Sequence, residues 1–175
     1  MTIKLGFLAS LALLLGACYP ASVRVGAGIS TGNVIISGQR TNYISSFTPD
    51  RAEGGTYQVG EFIRFRLQTI RPGYLTLVAF QDFNSQVILR NYYVNAGTTF
   101  IANDGRGNGF QAGYPTGIQY VRAIFTTSDQ RNTSSVSLVG RFDSLSGWQN
   151  QLNIYIRPFD LPTRDYVDTL LFITR

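Results

Sequence analysis

The chain contains no histidine, and its single cysteine and single lysine, Cys18 and Lys4, both lie among the first 18 residues. A Ser-His-Asp or Cys-His catalytic site cannot be built without histidine. Zinc and copper sites usually require histidine or cysteine ligands, so the sequence predicts no metal site and no cofactor. Carboxylates are then the main groups left for catalysis, and the sequence favours a protein without catalytic residues.

The N-terminal segment has the pattern of a secretory signal peptide. Lys4 supplies a short positive region, and the apolar run 5–15 that follows is too short to span a bilayer as a helix. The small residues Gly16 and Ala17 precede Cys18. The sequence therefore predicts that residues 1–17 are a signal peptide, cleaved between Ala17 and Cys18.

Residues 15–18, Leu-Gly-Ala-Cys, resemble the bacterial lipobox, in which the cysteine carries acyl chains. The resemblance implies lipidation of Cys18, and two or three chains anchor a protein stably because each buried methylene contributes about 0.8 kcal/mol. Tyr19 follows the cysteine, which resembles outer-membrane sorting, so we expect a cell-envelope protein at the outer membrane or cell surface. An ordinary secretory signal with a chance cysteine is the alternative.

The charge pattern does not indicate a nucleic-acid partner. After Lys4 the basic residues are 14 scattered arginines, which with 10 acids leave a net charge of +4. No run of five basic residues occurs, as a nucleic-acid-binding tail would require. We expect at most a mild, salt-sensitive attraction to anionic envelope polymers.

The remaining chain shows the period-two alternation of β-strands. In residues 62–70, FIRFRLQTI, Ile63, Phe65 and Leu67 fall on one face and the arginines on the other. Residues 74–81, YLTLVAFQ, are apolar on both faces, as in a central strand. The turn residues Pro72 and Gly73 predict that the two strands form a hairpin.

Further short strands separated by turns predict an all-β fold, an immunoglobulin-like antiparallel β-sandwich of about 7–8 strands over residues 51–175. These strands are predicted at 86–91, 98–102, 118–127, 136–142, 151–157 and 167–174. Residues 18–50 predict a lipidated N-terminus and flexible tether, with an added strand at 34–37 that pairs with 23–25.

Residues 103–117, NDGRGNGFQAGYPTG, contain five glycines and predict a long loop, and such loops are often functional. The loop resembles the front of a calcium-binding loop, but Arg106 stands at the third ligand position and the twelfth position is proline. A flexible glycine loop is the better interpretation. Its candidate contact residues are Arg106, Phe110 and Tyr114.

Residues 57–77, YQVGEFIRFRLQTIRPGYLTL, resemble the core of a bacterial family, domain of unknown function 4384. That family typically opens with Tyr-x-Val-Gly-Asp/Glu, here at 57–61, and reaches Gly-Tyr-Leu, here at 73–75. A looser similarity continues to Thr127, although Arg90 stands where the family often has proline. The resemblance implies a β-sandwich module of an envelope lipoprotein, with no shared catalytic residue.

Together these patterns predict a lipid-anchored protein with a non-catalytic binding or structural role, contacting another envelope protein or a polysaccharide. One alternative is a small hydrolase that acts on a cell-wall glycan through two carboxylates. Its candidate acids are Asp160, Asp165 and Asp168, or Glu53 and Glu61. Another is an inhibitor or accessory subunit that uses loop 103–117 as its contact.

Overall fold

A computed structural model of the protein describes residues 43–132 and 134–175. The predicted signal peptide, Cys18 and the predicted strands at 23–25 and 34–37 lie outside the described residues. Strand β1, Ile44–Pro49, falls within the segment predicted as tether, so the sandwich begins before residue 51.

The larger sheet has six strands. Its strand order is β10 (Gly140–Arg141), β6 (Asn84–Val94), β5 (Gly73–Gln81), β9 (Gly117–Thr126), β11 (Arg164–Thr174) and β2 (Thr56–Gln58). Neighbouring strands are antiparallel, except that β2 runs parallel to β11. This one parallel pair departs from the predicted antiparallel arrangement.

The smaller sheet has three antiparallel strands in the order β1, β4 (Phe65–Thr69) and β7 (Gly97–Ile101). A two-stranded ribbon pairs β3 (Phe62–Ile63) with β8 (Phe110–Gln111). The described residues thus form eleven strands, more than the 7–8 predicted, because several strands are only two or three residues long.

The main core lies between the two larger sheets. Alternation places Phe47, Phe65 and Leu67 of the small sheet inward, and the large sheet contributes Val121 and Phe125. The rings of Phe47 and Phe65 stack with their centroids 5.3 Å apart. The predicted all-β sandwich is therefore confirmed, and the alternation predicted for 62–70 is correct.

The predicted hairpin between 62–70 and 74–81 is wrong. Strand β4 pairs with β1 and β7, whereas β5 pairs with β6 and β9, so the turn between β4 and β5 crosses from one sheet to the other. Strand β5 forms its hairpin with β6 through Asp82 and Phe83, both of which have positive φ angles (46° and 62°). A two-residue turn of this kind matches the natural twist of paired strands.

The predicted strands at 136–142 and 151–157 are also wrong. Only Gly140–Arg141 is a strand, and Leu145–Tyr155 forms helix α1. Ser144 caps the helix, since its Oγ accepts a hydrogen bond from the Gly147 amide at 3.0 Å. Trp148, Leu152 and Tyr155 then fall on one helical face and are buried.

Helix α1 packs on the outer face of the six-stranded sheet and forms a second core there. Phe80 of β5 stacks on Trp148 with ring centroids 5.2 Å apart, and Val78 and Ile124 join them. Strand β5 is therefore buried on both faces, as predicted for a central strand. The described residues contain no helix long and apolar enough to cross a membrane.

Candidate functional site

A cleft lies at the end of the sandwich where the large sheet extends beyond the small one. Strands β5, β6, β9 and β11 have 9 to 11 residues, whereas β1, β4 and β7 have 5 or 6. At about 3.3 Å per residue, the strands of the large sheet are longer by roughly 10–20 Å. The small sheet therefore leaves part of the inner face of the large sheet uncovered.

The floor of the cleft is made of glutamine side chains. Ala79 of β5 lies opposite Gln86 of β6 on one side and Val121 of β9 on the other. Gln81 follows Ala79 on the same face of β5, and Gln119 precedes Val121 on the same face of β9. Together with Gln86, these two side chains place three amides at the edge of the apolar core. Gln119 Nε2 approaches Gln81 Oε1 at 3.5 Å.

Loop 103–117 and the β3–β8 ribbon form the roof. Asp104 organises the loop tip, because its Oδ1 accepts from the Arg106 and Asn108 amides at 2.8 and 3.1 Å. Its Oδ2 accepts from Asn108 Nδ2 at 2.8 Å. These hydrogen bonds, above all that from the Asn108 side chain, hold the pKa of Asp104 below its usual value.

The cleft consists of two adjoining hollows that share the lining residues Gln86 and Gln119. The hollow under the loop has a volume of about 310 Å³, and the hollow beside Tyr114 and Pro115 has a volume of about 220 Å³. The larger hollow is also lined by apolar side chains at the core boundary, among them Ile63 and Phe110. Amide and apolar groups together can orient a ligand and remove part of its surface from water.

The three contact residues predicted in the loop have different positions. Tyr114 is 73% exposed and lines the smaller hollow. Arg106 is exposed at the loop tip but does not line either hollow. Phe110 is buried against Phe65 with ring centroids 5.9 Å apart, so it supports the cleft from the core side and is not a surface contact.

The structure does not bring the candidate carboxylates together. Asp165 and Asp168 lie on opposite faces of β11, because residues three apart on a strand point to opposite sides. On the inner face, Asp165 Oδ2 accepts from the amides of Tyr43 and Ile44, both at 2.9 Å. On the helix side, Asp168 pairs with the buried guanidinium of Arg122.

The remaining candidate acids lie on the surface. Glu61 forms a bidentate pair with Arg51 at 2.8 and 2.9 Å, and hydrogen bonding to that guanidinium lowers the pKa of Glu61. Glu53 and Asp160 are exposed, Asp160 at the start of a short 3₁₀-helix. Among the described residues, no three acids or thiols cluster in a way that would hold a metal ion.

A second surface is the outer face of the small sheet. Phe100 is 67% exposed there and lies opposite Arg66 in the strand register. Phe62 of the adjoining β3–β8 ribbon is 63% exposed, and Arg64, between β3 and β4, is exposed as well. Neither Arg64 nor Arg66 makes an ion pair within the described residues. We refer to these four residues as the Arg–Phe face.

The glutamine floor was missed by the sequence analysis. The signal was present in β5, where the inward positions run Leu77, Ala79 and Gln81. A polar side chain that follows apolar residues on the inward face of a strand indicates that this end of the strand leaves the core and meets solvent or a cleft. The pairing that brings Gln86 and Gln119 beside Gln81 is not visible in the sequence.

No protein-family model matches the chain, and neither a curated protein nor a solved structure matches it significantly. The resemblance of residues 57–77 to the domain of unknown function 4384 family thus stays a prediction.

Proposed function

We propose that this is a lipid-anchored cell-envelope protein with a non-catalytic binding role, and that it holds an envelope polymer or protein segment in the cleft. The observation that carries the proposal is the pair of adjoining hollows that share Gln86 and Gln119, where the large sheet extends beyond its partner. A concave site with apolar walls and a few converging polar groups is the usual form of a ligand site.

The positions of the acids support binding over hydrolysis. A glycosidase needs two carboxyl groups within about 5–10 Å of each other on either side of the scissile bond. Among the described residues, Asp104 is the only acid that lines either hollow, and its oxygens accept hydrogen bonds from amides of its own loop. Asp165 and Asp168 are engaged with other groups on opposite faces of β11.

Lipid anchoring at Cys18 is supported by the lipobox pattern and the signal peptide that precedes it. The 24 residues between Cys18 and Tyr43 span at most about 90 Å when fully extended. The sandwich would then remain close to the polymers and proteins of the membrane to which it is attached.

Sedimentation with isolated envelopes tests the binding role. The mature chain carrying Cys18→Ala, and so lacking lipid, should co-sediment with envelopes. Gln86→Trp fills the junction of the two hollows and should remove most of this retention, because Gln86 lines both. Gln68→Trp places the same side chain on the exposed outer face of the small sheet and should change nothing. Equal retention of the three proteins would reject the cleft as the binding site.

Fractionation of cells tests the anchor separately. The full chain should be found in the membrane fraction, and Cys18→Ala should leave uncleaved precursor or release the protein. Metabolic labelling with a palmitate analogue should mark the parent chain and not the variant. Membrane association of an unlabelled parent chain would contradict lipid attachment at this residue.

A further inference from the structure

We infer that the ligand of the cleft is an uncharged segment of a polysaccharide. The inference rests on the proposed binding role and specifies its ligand class. Three properties of the cleft carry it: the amide groups, the exposed aromatic ring of Tyr114, and the lack of arginine and lysine among the described residues that line it.

The amides match the hydroxyl groups of a sugar. A glutamine side chain offers one acceptor oxygen and two N–H donors, and a hydroxyl both donates and accepts. Gln86 makes no side-chain hydrogen bond to any other described residue, so its amide is available to a ligand. Gln111 uses Nε2 to bind the Gly60 carbonyl at 2.8 Å, which leaves its oxygen as an acceptor.

The same cleft offers an aromatic surface to the C–H faces of a sugar ring. Ile63, Phe65 and Phe110 bound the larger hollow but are at most 9% exposed, so they shape it from the core side. Tyr114 presents an exposed ring at the smaller hollow, and an aromatic ring provides a rigid, flat contact surface with a polar tip. A chain of sugar units that crosses Gln86 would therefore contact both hollows.

The charge of the lining selects against anionic ligands. None of the described residues that line the two hollows is an arginine or lysine. Asp104 is the single charged residue in the described part of the lining, and its pKa is lowered, so it is negative at neutral pH. Phosphate and uronate groups are normally bound by arginine or lysine, so polymers that carry them do not suit this cleft.

An extended peptide added to the edge of β6 is the competing ligand. Asn84 and Ser85 pair with β10, and beyond them β6 pairs with no other described strand on that side. Strand addition depends on a row of main-chain hydrogen bonds, so it would not depend on the Gln86 side chain. Sensitivity of binding to Gln86→Ala therefore separates the two ligands.

Calorimetric titration of the mature Cys18→Ala chain tests the ligand class. The neutral probes are the hexasaccharides cellohexaose, chitohexaose, maltohexaose, xylohexaose and mannohexaose. The charged probes are hexagalacturonate and polyphosphate, and a seven-residue Thr-Val peptide represents strand addition. At least one neutral probe should bind saturably, about tenfold or more tighter than the charged probes and the peptide.

Variants locate the binding. Gln86→Ala and Tyr114→Ala should each lower the affinity for the neutral probe by about tenfold. Gln68→Ala removes an amide from the outer face of the small sheet and should leave the affinity unchanged. The side-chain amide NMR signals of Gln86 and Gln119 should shift during the titration. Binding of the charged probes or the peptide alone, or neutral binding that is indifferent to Gln86→Ala, would overturn the inference.

The two proposals fail in distinguishable ways. If Gln86→Trp abolishes retention on envelopes but no neutral probe binds, the binding role stands and the ligand class is wrong. If Gln86→Trp leaves envelope retention unchanged and no neutral probe binds, both are wrong.

Discussion

Arg122 and Asp168 face each other in the interior as a bidentate pair, with Nε–Oδ1 at 2.5 Å and Nη2–Oδ2 at 2.7 Å. Their side chains are 1% and 4% exposed. Arg122 lies on β9 and Asp168 directly opposite on β11, and Arg122 Nη1 also donates to Asn153 Oδ1 of helix α1 at 3.0 Å. The guanidinium lies over the ring of Tyr166 at 4.5 Å. This pair attaches the helix to the sheet.

Arg122→Met should destabilise the protein by about 3–5 kcal/mol, because it leaves the Asp168 carboxylate buried without its partner. The double variant Arg122→Met/Asp168→Leu should recover much of the loss, since it removes both charges and keeps apolar volume. Urea unfolding, followed by the fluorescence of Trp148, measures the free energy of unfolding of the single and the double variant. A cost below about 1 kcal/mol for the single variant would show that water reaches the carboxylate.

Gly73→Ala should destabilise the protein by about 1–3 kcal/mol through overpacking. A Cβ at Gly73 would lie 2.4 Å from the Phe125 ring and 2.5 Å from the Thr126 carbonyl oxygen, which belong to the paired strand β9. Gly113→Ala is the matched control, because a Cβ there meets no atom within 4 Å. Thermal unfolding of the two variants should separate them; equal melting temperatures would mean that β5 and β9 move apart easily.

Tyr57 should make stability fall at alkaline pH. Burial, followed by donation of its hydroxyl hydrogen to Asp50, raises the pKa of Tyr57 to about 12 from its ordinary value near 10. The folded state therefore holds this proton more tightly than the unfolded state. The resulting stability is fully present below about pH 10 and is lost as the pH rises towards about 12.

Urea unfolding across this range measures the effect. Tyr57→Phe should be less stable at neutral pH but lose less stability between about pH 10 and 12 than the parent chain. Tyr93→Phe, at an exposed tyrosine, should keep the parental slope. Parallel curves for the parent and Tyr57→Phe would contradict the assignment.

The Arg–Phe face should account for most of the attraction to anionic polymers. Arg64→Gln/Arg66→Gln should elute earlier than the parent chain from a dextran sulfate column at about 0.01 M salt, where exposed charges act over long distances. At about 0.15 M salt the difference should shrink. Arg157→Gln removes one exposed charge elsewhere and should elute close to the parent. A shift for Arg157→Gln half as large as that of the double variant would mean that only net charge matters, because the double variant loses two charges and Arg157→Gln loses one.

The faces of the strands could be predicted from the sequence because burial follows directly from alternation. Ile63, Phe65 and Leu67 are buried as expected, and the apolar run in β5 is covered on both sides. The partners of these strands could not be predicted in the same way. Strand β5 pairs with β9, where Gly73 lies close to Phe125, although more than 30 residues separate the two strands along the chain.

Helix α1 shows a different ambiguity. Leu152, Ile154 and Ile156 alternate as in a strand, while Trp148, Leu152 and Tyr155 have helical spacing. Ser144 at the N-cap position was the local signal for the helix. The deciding factor is tertiary, because the outer face of the large sheet carries Val78, Phe80 and Ile124 and needs an apolar cover.

Because the strands of the two sheets differ in length, one part of a long strand packs in the core and the other part extends beyond the small sheet. In β5, Leu75, Leu77 and Ala79 belong to the core, whereas Gln81 reaches the cleft. Under the proposed binding role, exchanging Gln86 for another polar residue would change what the cleft recognises without altering the packing of the sandwich, because its side chain makes no hydrogen bond to another described residue. Gln81 differs, since its Nε2 donates to the Pro115 carbonyl oxygen and so connects β5 to the loop. A library randomised at Gln86 alone would therefore vary recognition at little cost in stability.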